Sequence, residues 1–184
     1  FGNATSLFDL KASELKKDFP GGAEFPLVFV KVTHGRCERC PVTMSCFNTV
    51  EASIVCKYVA QLNTLGVCLD DIGIITPYRK QVQVIRQLIA QMFGKRDNLK
   101  IGSAEQFQGD ERRVMLISTV RSISSQENDT IGFLHCPKRF NVTVSRARSL
   151  MAVIGNPNLI CASPHWKAIY DYCELNLAVV EAKE

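Results

Sequence analysis

Three short stretches of the sequence combine polar, basic and glycine residues that suit phosphate chemistry. They are residues 73–81 (GIITPYRKQ), 104–111 (AEQFQGDE) and 138–148 (KRFNVTVSRAR). The third is predicted to be a helix, on which an arginine would be rigidly held and suited to reach a phosphate. Taken singly, each stretch is more typical of an ordinary structural element: a helix start, a glycine turn and a basic surface helix, respectively. Their combination and order are far more specific.

Several other kinds of site are excluded. The sequence contains no G-x-x-x-x-G-K-[ST], no G-x-S-x-G and no H-E-x-x-H, and its three histidines are scattered. The chain therefore has no P-loop of its own, no acyl-transfer nucleophile of the hydrolase type and no metalloprotease site.

Positive charge is concentrated in two segments. The net charge is only +4, but residues 72–96 and residues 130–170 each hold five Lys or Arg and no Asp or Glu. If these segments meet in the fold, they would form an anion-binding face. The alternative is that these side chains simply point into solvent.

The eight cysteines predict a reducing compartment, because no secretory signal precedes them. One group, His34, Cys37, Cys40 and Cys46, has spacing that zinc ligands can have. A single C-x-x-C with one more cysteine is weak support, so we favour a Cys-rich loop and predict no metal site.

Length and composition fit one globular domain. The 184 residues are 46% hydrophobic and 22% charged. No apolar run approaches the ~20 residues that span a bilayer, so we expect no membrane insertion. The chain has no initiator Met and no signal peptide pattern, and we expect it to be part of a longer protein.

Along the chain, short apolar segments typical of strands alternate with segments whose apolar residues have helical spacing. We predict strands at 25–32, 72–76, 99–104, 114–120 and 150–154, and helices at 48–66, 78–94, 137–148 and 164–175. Asn48 and Glu51 have the spacing of a capping box. This order predicts an open, mainly parallel α/β sheet covered on both faces. Residues 76–80, residues 106–111 and Arg121 would then lie together beyond the carboxyl ends of the strands.

The three stretches, with residues 117–122 (ISTVRS), 132–134 (GFL) and 154–157 (IGNP), resemble motifs IV, V and VI of superfamily 1 RNA helicases. The up-frameshift group is the most similar branch, and PYRKQV, EQFQG, STVRS and KRFNV look like the Armitage/Moloney-leukaemia-virus-ten RNA-silencing helicases. The resemblance implies the second RecA-like domain, a P-loop NTPase-type fold lacking its own P-loop. The domain would span residues 1–184, with a core at about 25–175.

The resemblance implies a nucleotide site. Arg146 would be the arginine finger that neutralises charge on the γ-phosphate. Gly109 and Glu111 would lie at the nucleotide together with Arg148, and Gln108 would couple the nucleotide and RNA sites. ATP and Mg²⁺ are the implied cofactors, with the Mg²⁺ ligands in a first RecA-like domain. An earlier family motif with a Tyr-Arg pair is not found here, and Ser145 stands where relatives have Thr.

It also implies an RNA site. The residues expected to contact the RNA backbone or support those contacts are Thr76, Pro77, Tyr78, Arg79 and Ser103. Supporting roles are expected for Gln81, Arg121 and Asn141.

The implied function is that of the C-terminal motor domain of an ATP-dependent 5′-to-3′ RNA helicase, acting in RNA silencing or RNA decay. Expected partners are single-stranded RNA, the first RecA-like domain and Argonaute/Piwi-type proteins, in the cytoplasm or in ribonucleoprotein granules. The chain alone should not hydrolyse ATP. Two alternatives stay open: a non-catalytic protein-docking module of a silencing complex, and a DNA-directed superfamily 1 helicase.

Overall fold

The computed structural model describes residues 26–95, 98–122 and 132–182. Six strands form one sheet: β1 (Leu27–Lys31), β4 (Ile72–Ile75), β5 (Lys100–Gly102), β6 (Arg112–Ser118), β7 (Ala147–Gly155) and β8 (Val179–Glu181). Their order is β5-β4-β6-β7-β1-β8, and every neighbouring pair is parallel. Two short antiparallel strands, β2 (Glu38–Arg39) and β3 (Cys46–Phe47), form a separate hairpin.

Helices cover both faces of the sheet. They are α1 (Thr49–Thr64), α2 (Arg79–Phe93), α3 (Pro137–Val144), α4 (Pro157–Ile160) and α5 (Pro164–Leu175). The helices α1 and α2 pack on one face, in a cluster that includes Val28 and Val30 of β1. The helices α3 to α5 pack on the other face, against Leu27 and Phe29. Because successive strand side chains point to opposite faces, strands buried on both sides must be apolar throughout.

Trp166 anchors the second face. Its side chain is 1% exposed, and its indole N–H donates to the carbonyl oxygen of Leu134 at 3.0 Å. The ring of Phe140 meets it edge-on, with 5.0 Å between ring centroids. The ring contact connects α5 to α3, and the hydrogen bond connects α5 to the 3₁₀ turn Gly132–His135 that precedes α3. A buried indole N–H usually has such a hydrogen-bond partner.

The architecture confirms the prediction of a mainly parallel RecA-like sheet with helices on both faces. The helix predicted at 164–175 is observed with the same bounds, as α5. The helix predicted at 137–148 is wrong for its last four residues, because α3 ends at Val144 and β7 begins at Ala147. The backbone N–H of Arg112 donates to the carbonyl oxygen of Arg146 at 3.1 Å, so the chain joins the parallel ladder there.

Within the part of the chain that the structure describes, the two basic segments do not form one continuous anion-binding face. Their helices, α2 and α3, lie on opposite faces of the sheet. The segments approach each other at a cavity of about 70 Å³, where Pro77 and Arg139 are among the lining residues. Arg139 is ion-paired there with Glu105. Among the described helices, none has the length and apolar character needed to cross a membrane.

Candidate nucleotide site and nucleic-acid interface

The predicted site residues divide between the two opposite edges of the parallel sheet. Thr76 follows β4, Ser103 follows β5 and Arg121 follows β6, so these three lie at the carboxyl edge. Glu111 immediately precedes β6 and Arg146 immediately precedes β7, which places both at the amino edge.

The prediction of one shared edge for residues 76–80, residues 106–111 and Arg121 is therefore wrong for Asp110 and Glu111. Gln106 does lie at the carboxyl edge, where its Oε1 accepts from the Ser103 N–H at 2.9 Å. After β5 the chain passes through a 3₁₀ turn, Glu105–Phe107, and returns to the amino end of β6. All strands of a parallel sheet begin at the same edge, so the residues just before β6 must lie at the amino edge. This return separates the candidate nucleotide residues from the candidate RNA residues.

Ion pairs hold the loop before β6 in place, while other polar side chains of the loop are exposed. Asp110 accepts from Lys100 Nζ at 2.6 Å and is also paired with Arg112. The hydrogen bond from Lys100 lowers the pKa of Asp110 below its usual value. Glu111 and Gln108, on either side of Gly109 and Asp110, are exposed.

Gly109 has a backbone φ of 79°, in the left-handed region that favours glycine. Apart from its two chain neighbours, no described residue has a heavy atom within 4 Å of the place where a Cβ would stand. The backbone at this turn is therefore open to close approach by a ligand, which is the property required of a loop that contacts a phosphate.

Arg146 lies in the turn between α3 and β7. Its Nε donates to the carbonyl oxygen of Val142 at 3.1 Å, and its terminal nitrogen donates to Ser145 Oγ at 2.8 Å. The side chain thus binds a carbonyl at the C-terminal end of α3, where helix carbonyls lack intrahelical partners. It is half-buried and would have to leave these bonds to reach a phosphate.

The other two basic and polar candidates near α3 are accessible. Arg148 is on β7, where it is exposed and lies 3.9 Å from Asp71. It is therefore not on a helix, contrary to the prediction. Asn141 is exposed on α3.

At the carboxyl edge, the candidate RNA residues differ in accessibility. Arg79 is exposed, and Pro77 and Ser103 are half-buried. Tyr78 is only 5% exposed. Thr76 is 0% exposed, and within the described residues its hydroxyl has no hydrogen-bond partner. Its burial does not fit a direct contact with RNA in this conformation and favours the supporting role.

Arg121 and Tyr78 form a pair at this edge. Arg121 Nε donates to the Tyr78 hydroxyl at 2.6 Å, and its guanidinium carbon lies 5.3 Å from the centre of the ring. A cation beside an aromatic ring is attracted to its face. Burial raises the pKa of Tyr78, so the hydroxyl stays protonated and accepts the hydrogen bond from Arg121.

Gln81 connects α1 and α2 to the end of β6. It is fully buried, its Oε1 accepts from the backbone N–H of Asn48 at 2.8 Å, and its Nε2 donates to Asn48 O and to Ser118 Oγ, both at 3.1 Å. A buried amide that uses both of its ends fixes its neighbours strongly, because an unpaired polar group there would be costly.

Asn48 caps α1 as predicted, but the reciprocal half of the capping box is wrong. Asn48 Oδ1 accepts from the backbone N–H of Glu51 at 3.1 Å. The Asn48 N–H is bound by Gln81 instead of by Glu51. The Glu51 carboxyl group points toward β6, where its Oε2 accepts from Ser118 Oγ at 2.7 Å and from the Val120 N–H at 2.8 Å.

Glu51 is a costly group at this position. It is completely buried, and burial raises its pKa to about 8, an effect that the hydrogen bonds from Val120, Ser118 and Thr119 partly offset. Val120 has a φ of 70°, which for a β-branched residue is a true outlier and costs about 1–3 kcal/mol. Sequence reasoning missed this network, because no local pattern shows that residues 69 positions apart will be hydrogen-bonded.

The four residues with zinc-like spacing lie between β1 and α1. No three His, Cys, Asp or Glu side chains in residues 26–95, 98–122 and 132–182 are arranged to hold a metal ion. That His34, Cys37, Cys40 and Cys46 bind no zinc stays a prediction. Cys46 packs with Tyr78 and Val120, and Cys37 packs against them. A hydrogen bond with the Thr43 side chain lowers the pKa of Cys40 to about 7.

Residues 8–158 match the model of a protein family described as the AAA domain. Similar curated proteins include the Danio rerio protein named "Putative helicase mov-10-B.2", 42% identical over 81% of this chain and 16% of the relative. The Drosophila melanogaster protein named "Probable RNA helicase armi" is 43% identical over 73% of this chain and 11% of the relative. Human "RNA helicase Mov10l1" is 40% identical over 83% of this chain and 13% of the relative.

The chain thus spans about a sixth or less of the length of these relatives. The family match covers most of the sequence, including the three motif stretches. The parallel sheet, the lack of a P-loop in the sequence and the ordered motifs agree with that match. The chain therefore belongs to the AAA domain family, as a RecA-like domain of the up-frameshift-type superfamily 1 helicases.

Proposed function

We propose that this chain is the C-terminal motor domain of an ATP-dependent RNA helicase that moves 5′ to 3′. The observation that supports it most is the separation of the candidate residues between the two edges of one parallel sheet. Arg146 and Glu111 lie at the amino edge, while Ser103 and Arg121 lie at the carboxyl edge. A helicase motor needs one site for ATP and another for RNA, and the two sites must be connected by a rigid element. The strands β6 and β7 run from one edge of the sheet to the other and would provide that connection.

On the nucleotide side, each proposed role follows from a local property. The backbone at Gly109 is open to a phosphate, and Glu111 is exposed beside it. Arg146 would leave Val142 and Ser145 and place its guanidinium beside the γ-phosphate, where it stabilises the charge that develops in the transition state. Bound Mg²⁺-ATP supplies the phosphoryl group. This chain contributes no proposed Mg²⁺ ligand, and a P-loop-containing domain would hold the ion.

On the RNA side, Arg79 supplies an exposed cation and Ser103 an accessible hydroxyl at the ends of adjacent strands. Such groups bind phosphate oxygens and sugars and carry no base specificity. Thr76, Gln81 and Tyr78 support these positions from beneath the surface. The proposed contacts therefore suit a motor that moves along single strands of any sequence.

The test uses a full-length helicase containing this chain. We expect RNA-stimulated ATP hydrolysis, unwinding of a duplex with a 5′ single-stranded overhang, and tighter binding to RNA than to DNA of the same length. Equal competition by DNA would support the DNA-directed alternative. Absence of ATP hydrolysis with both nucleic acids would contradict the motor function.

The protein-docking alternative makes a different prediction. A docking module would keep its protein partners after Arg146 and Glu111 are both replaced by alanine, and the biological activity would survive. A motor would lose activity with the same two changes. The 184-residue chain alone should show no ATP hydrolysis above background, because it contains no P-loop. Robust hydrolysis by the chain alone would contradict our division of the site between domains.

The sequence resemblance also motivates the proposal that the motor acts in RNA silencing or RNA decay, in the cytoplasm or in ribonucleoprotein granules, with Argonaute/Piwi-type partners. Co-purification of such proteins with the tagged full-length helicase, followed by imaging of its location in cells, tests this part separately.

A further inference from the structure

The backbone at Val120 is the most strained position in the described part of the site. Its φ of 70° is in the left-handed region, its side chain is β-branched, and it is fully buried. A residue of this kind stays there only when its surroundings hold it. It directly follows Thr119 after β6 and directly precedes Arg121.

Both backbone polar groups of Val120 are bound by side chains from the start of α1. Its N–H donates to Glu51 Oε2 at 2.8 Å, and its carbonyl oxygen accepts from Asn48 Nδ2 at 3.4 Å. Glu51 Oε2 also accepts from Ser118 Oγ, two residues earlier, at 2.7 Å. The carboxyl group therefore spans the turn from the last residue of β6 to Val120.

The position of Glu51 is not explained by α1 itself. Asn48 already caps the helix through its own side chain. The hydrogen bonds that Glu51 accepts come from neutral donors at the end of β6 and from Asn48, and burying a polar carboxyl costs free energy that these bonds must offset. A group so costly to bury is best explained by the backbone turn that it holds.

We propose that Glu51 is a positioning residue that holds the strained turn at Val120 and thereby directs Arg121 onto Tyr78 at the carboxyl edge. Arg121 Nε is 2.6 Å from the Tyr78 hydroxyl, and Tyr78 is the residue just before α2, whose first residue is the exposed Arg79. The effect of this placement on nucleic acid rests on the proposed function. The placement itself can be measured without nucleic acid.

The first experiment measures placement by NMR of the 184-residue chain. We expect the Arg121 Nε–H and Val120 amide signals to exchange slowly with solvent. Glu51→Gln keeps an oxygen that can accept from Val120 and should leave both signals within about twofold of the original rates. Glu51→Ala removes the acceptor and should speed both exchange rates at least about tenfold, by opening the turn locally.

A general loss of stability is controlled by Val59→Ala, which removes buried side-chain volume from the same helix away from the turn. It should leave the Arg121 signal unchanged. If Glu51→Ala does not fold, Glu51→Met fills the same space and accepts no hydrogen bond from Val120. A folded Ala or Met variant with original Arg121 and Val120 signals would overturn the proposal, as would an equal effect of Val59→Ala.

The second experiment measures binding of a fluorescent 12-nucleotide single-stranded RNA to the full-length helicase. Glu51→Ala should weaken binding at least about fivefold and leave the KM for ATP unchanged. In an Arg121→Ala background, Glu51→Ala should cause no further loss, because its effect passes through Arg121. Independent, additive losses would overturn the link to Arg121. If the original helicase binds no RNA, the proposed function fails, and the NMR result still decides the placement.

Discussion

The backbone N–H of Arg112 donates to the carbonyl oxygen of Arg146 at 3.1 Å, which joins the loop before β6 to the turn before β7. One residue before Arg112 is Glu111, so this hydrogen bond sets the spacing between the two candidate nucleotide residues. They are 35 positions apart in sequence and become neighbours because their strands are paired in parallel.

Replacing Arg146 with alanine tests the nucleotide assignment directly. In a full-length helicase, we expect Arg146→Ala to lower ATP turnover about 10³-fold, because a cation that stabilises the transition state is lost. RNA binding should change less than about twofold, since Arg146 lies at the amino edge. The matched control is Lys167→Ala on α5, an exposed cation paired with Asp171, which should leave turnover unchanged. Near-normal turnover in Arg146→Ala would remove the arginine-finger role.

Two glycines with similarly positive φ allow strain and function to be separated. Gly109 and Gly94 have φ values of 79° and 74°, and at neither glycine does a described residue other than its chain neighbours place a heavy atom within 4 Å of the position that a Cβ would take. Alanine at either site should therefore cost about 1–3 kcal/mol of unfolding free energy through the backbone alone. Only Gly109→Ala should also weaken nucleotide binding, measured by titration with a fluorescent ATP analogue. Equal nucleotide affinities in the two variants would contradict the role of Gly109.

The buried carboxyl of Glu51 should make stability depend on pH. Its pKa is about 8 in the folded protein and about 4.5 in the unfolded chain, so the folded state retains a proton that the unfolded state loses between these values. The free energy of unfolding should then fall as pH rises from about 4.5 to 8, by up to about 1.4 kcal/mol per pH unit. The stabilisation is complete below pH 4.5 and is lost as pH rises through 8.

Urea unfolding at about pH 5, 6, 7 and 8 measures this slope. Glu51→Gln should remove that part of the pH dependence, because the amide does not titrate. The same slope in the original and the Gln variant would show that other groups cause it.

Trp166 should contribute strongly to stability. Trp166→Phe removes buried volume and leaves the Leu134 carbonyl without its indole donor, and we expect a loss of about 2–4 kcal/mol. Leu175→Ala, at an 83% exposed position on the same helix, should cost less than about 0.5 kcal/mol. Circular dichroism during urea unfolding measures both. A Trp166→Phe loss as small as that of Leu175→Ala would contradict this account of the second face.

Much of the fold could be predicted because its signals are local. Short-range preferences are enough to predict three of its features. These are the apolar strand that contains Ile74, the cap at Asn48 and the helix after Ser163. The end of α3 could not be predicted this way, since the apolar periodicity continues past Val144. Pairing with β6 decides where β7 begins, and that contact is distant in sequence.

The sequence by itself determined the fold class, the family and the residue types available at each motif, because these depend on local pattern and motif order. Only the tertiary structure decided that Glu111 and Arg146 share one edge of the sheet while Ser103 and Arg121 share the other. The tertiary structure also showed that the Glu51 side chain, which the sequence predicted to cap α1, accepts a hydrogen bond from the Val120 N–H. The physical reason is that strand direction and a buried carboxyl's partners are both set by pairings across the whole chain.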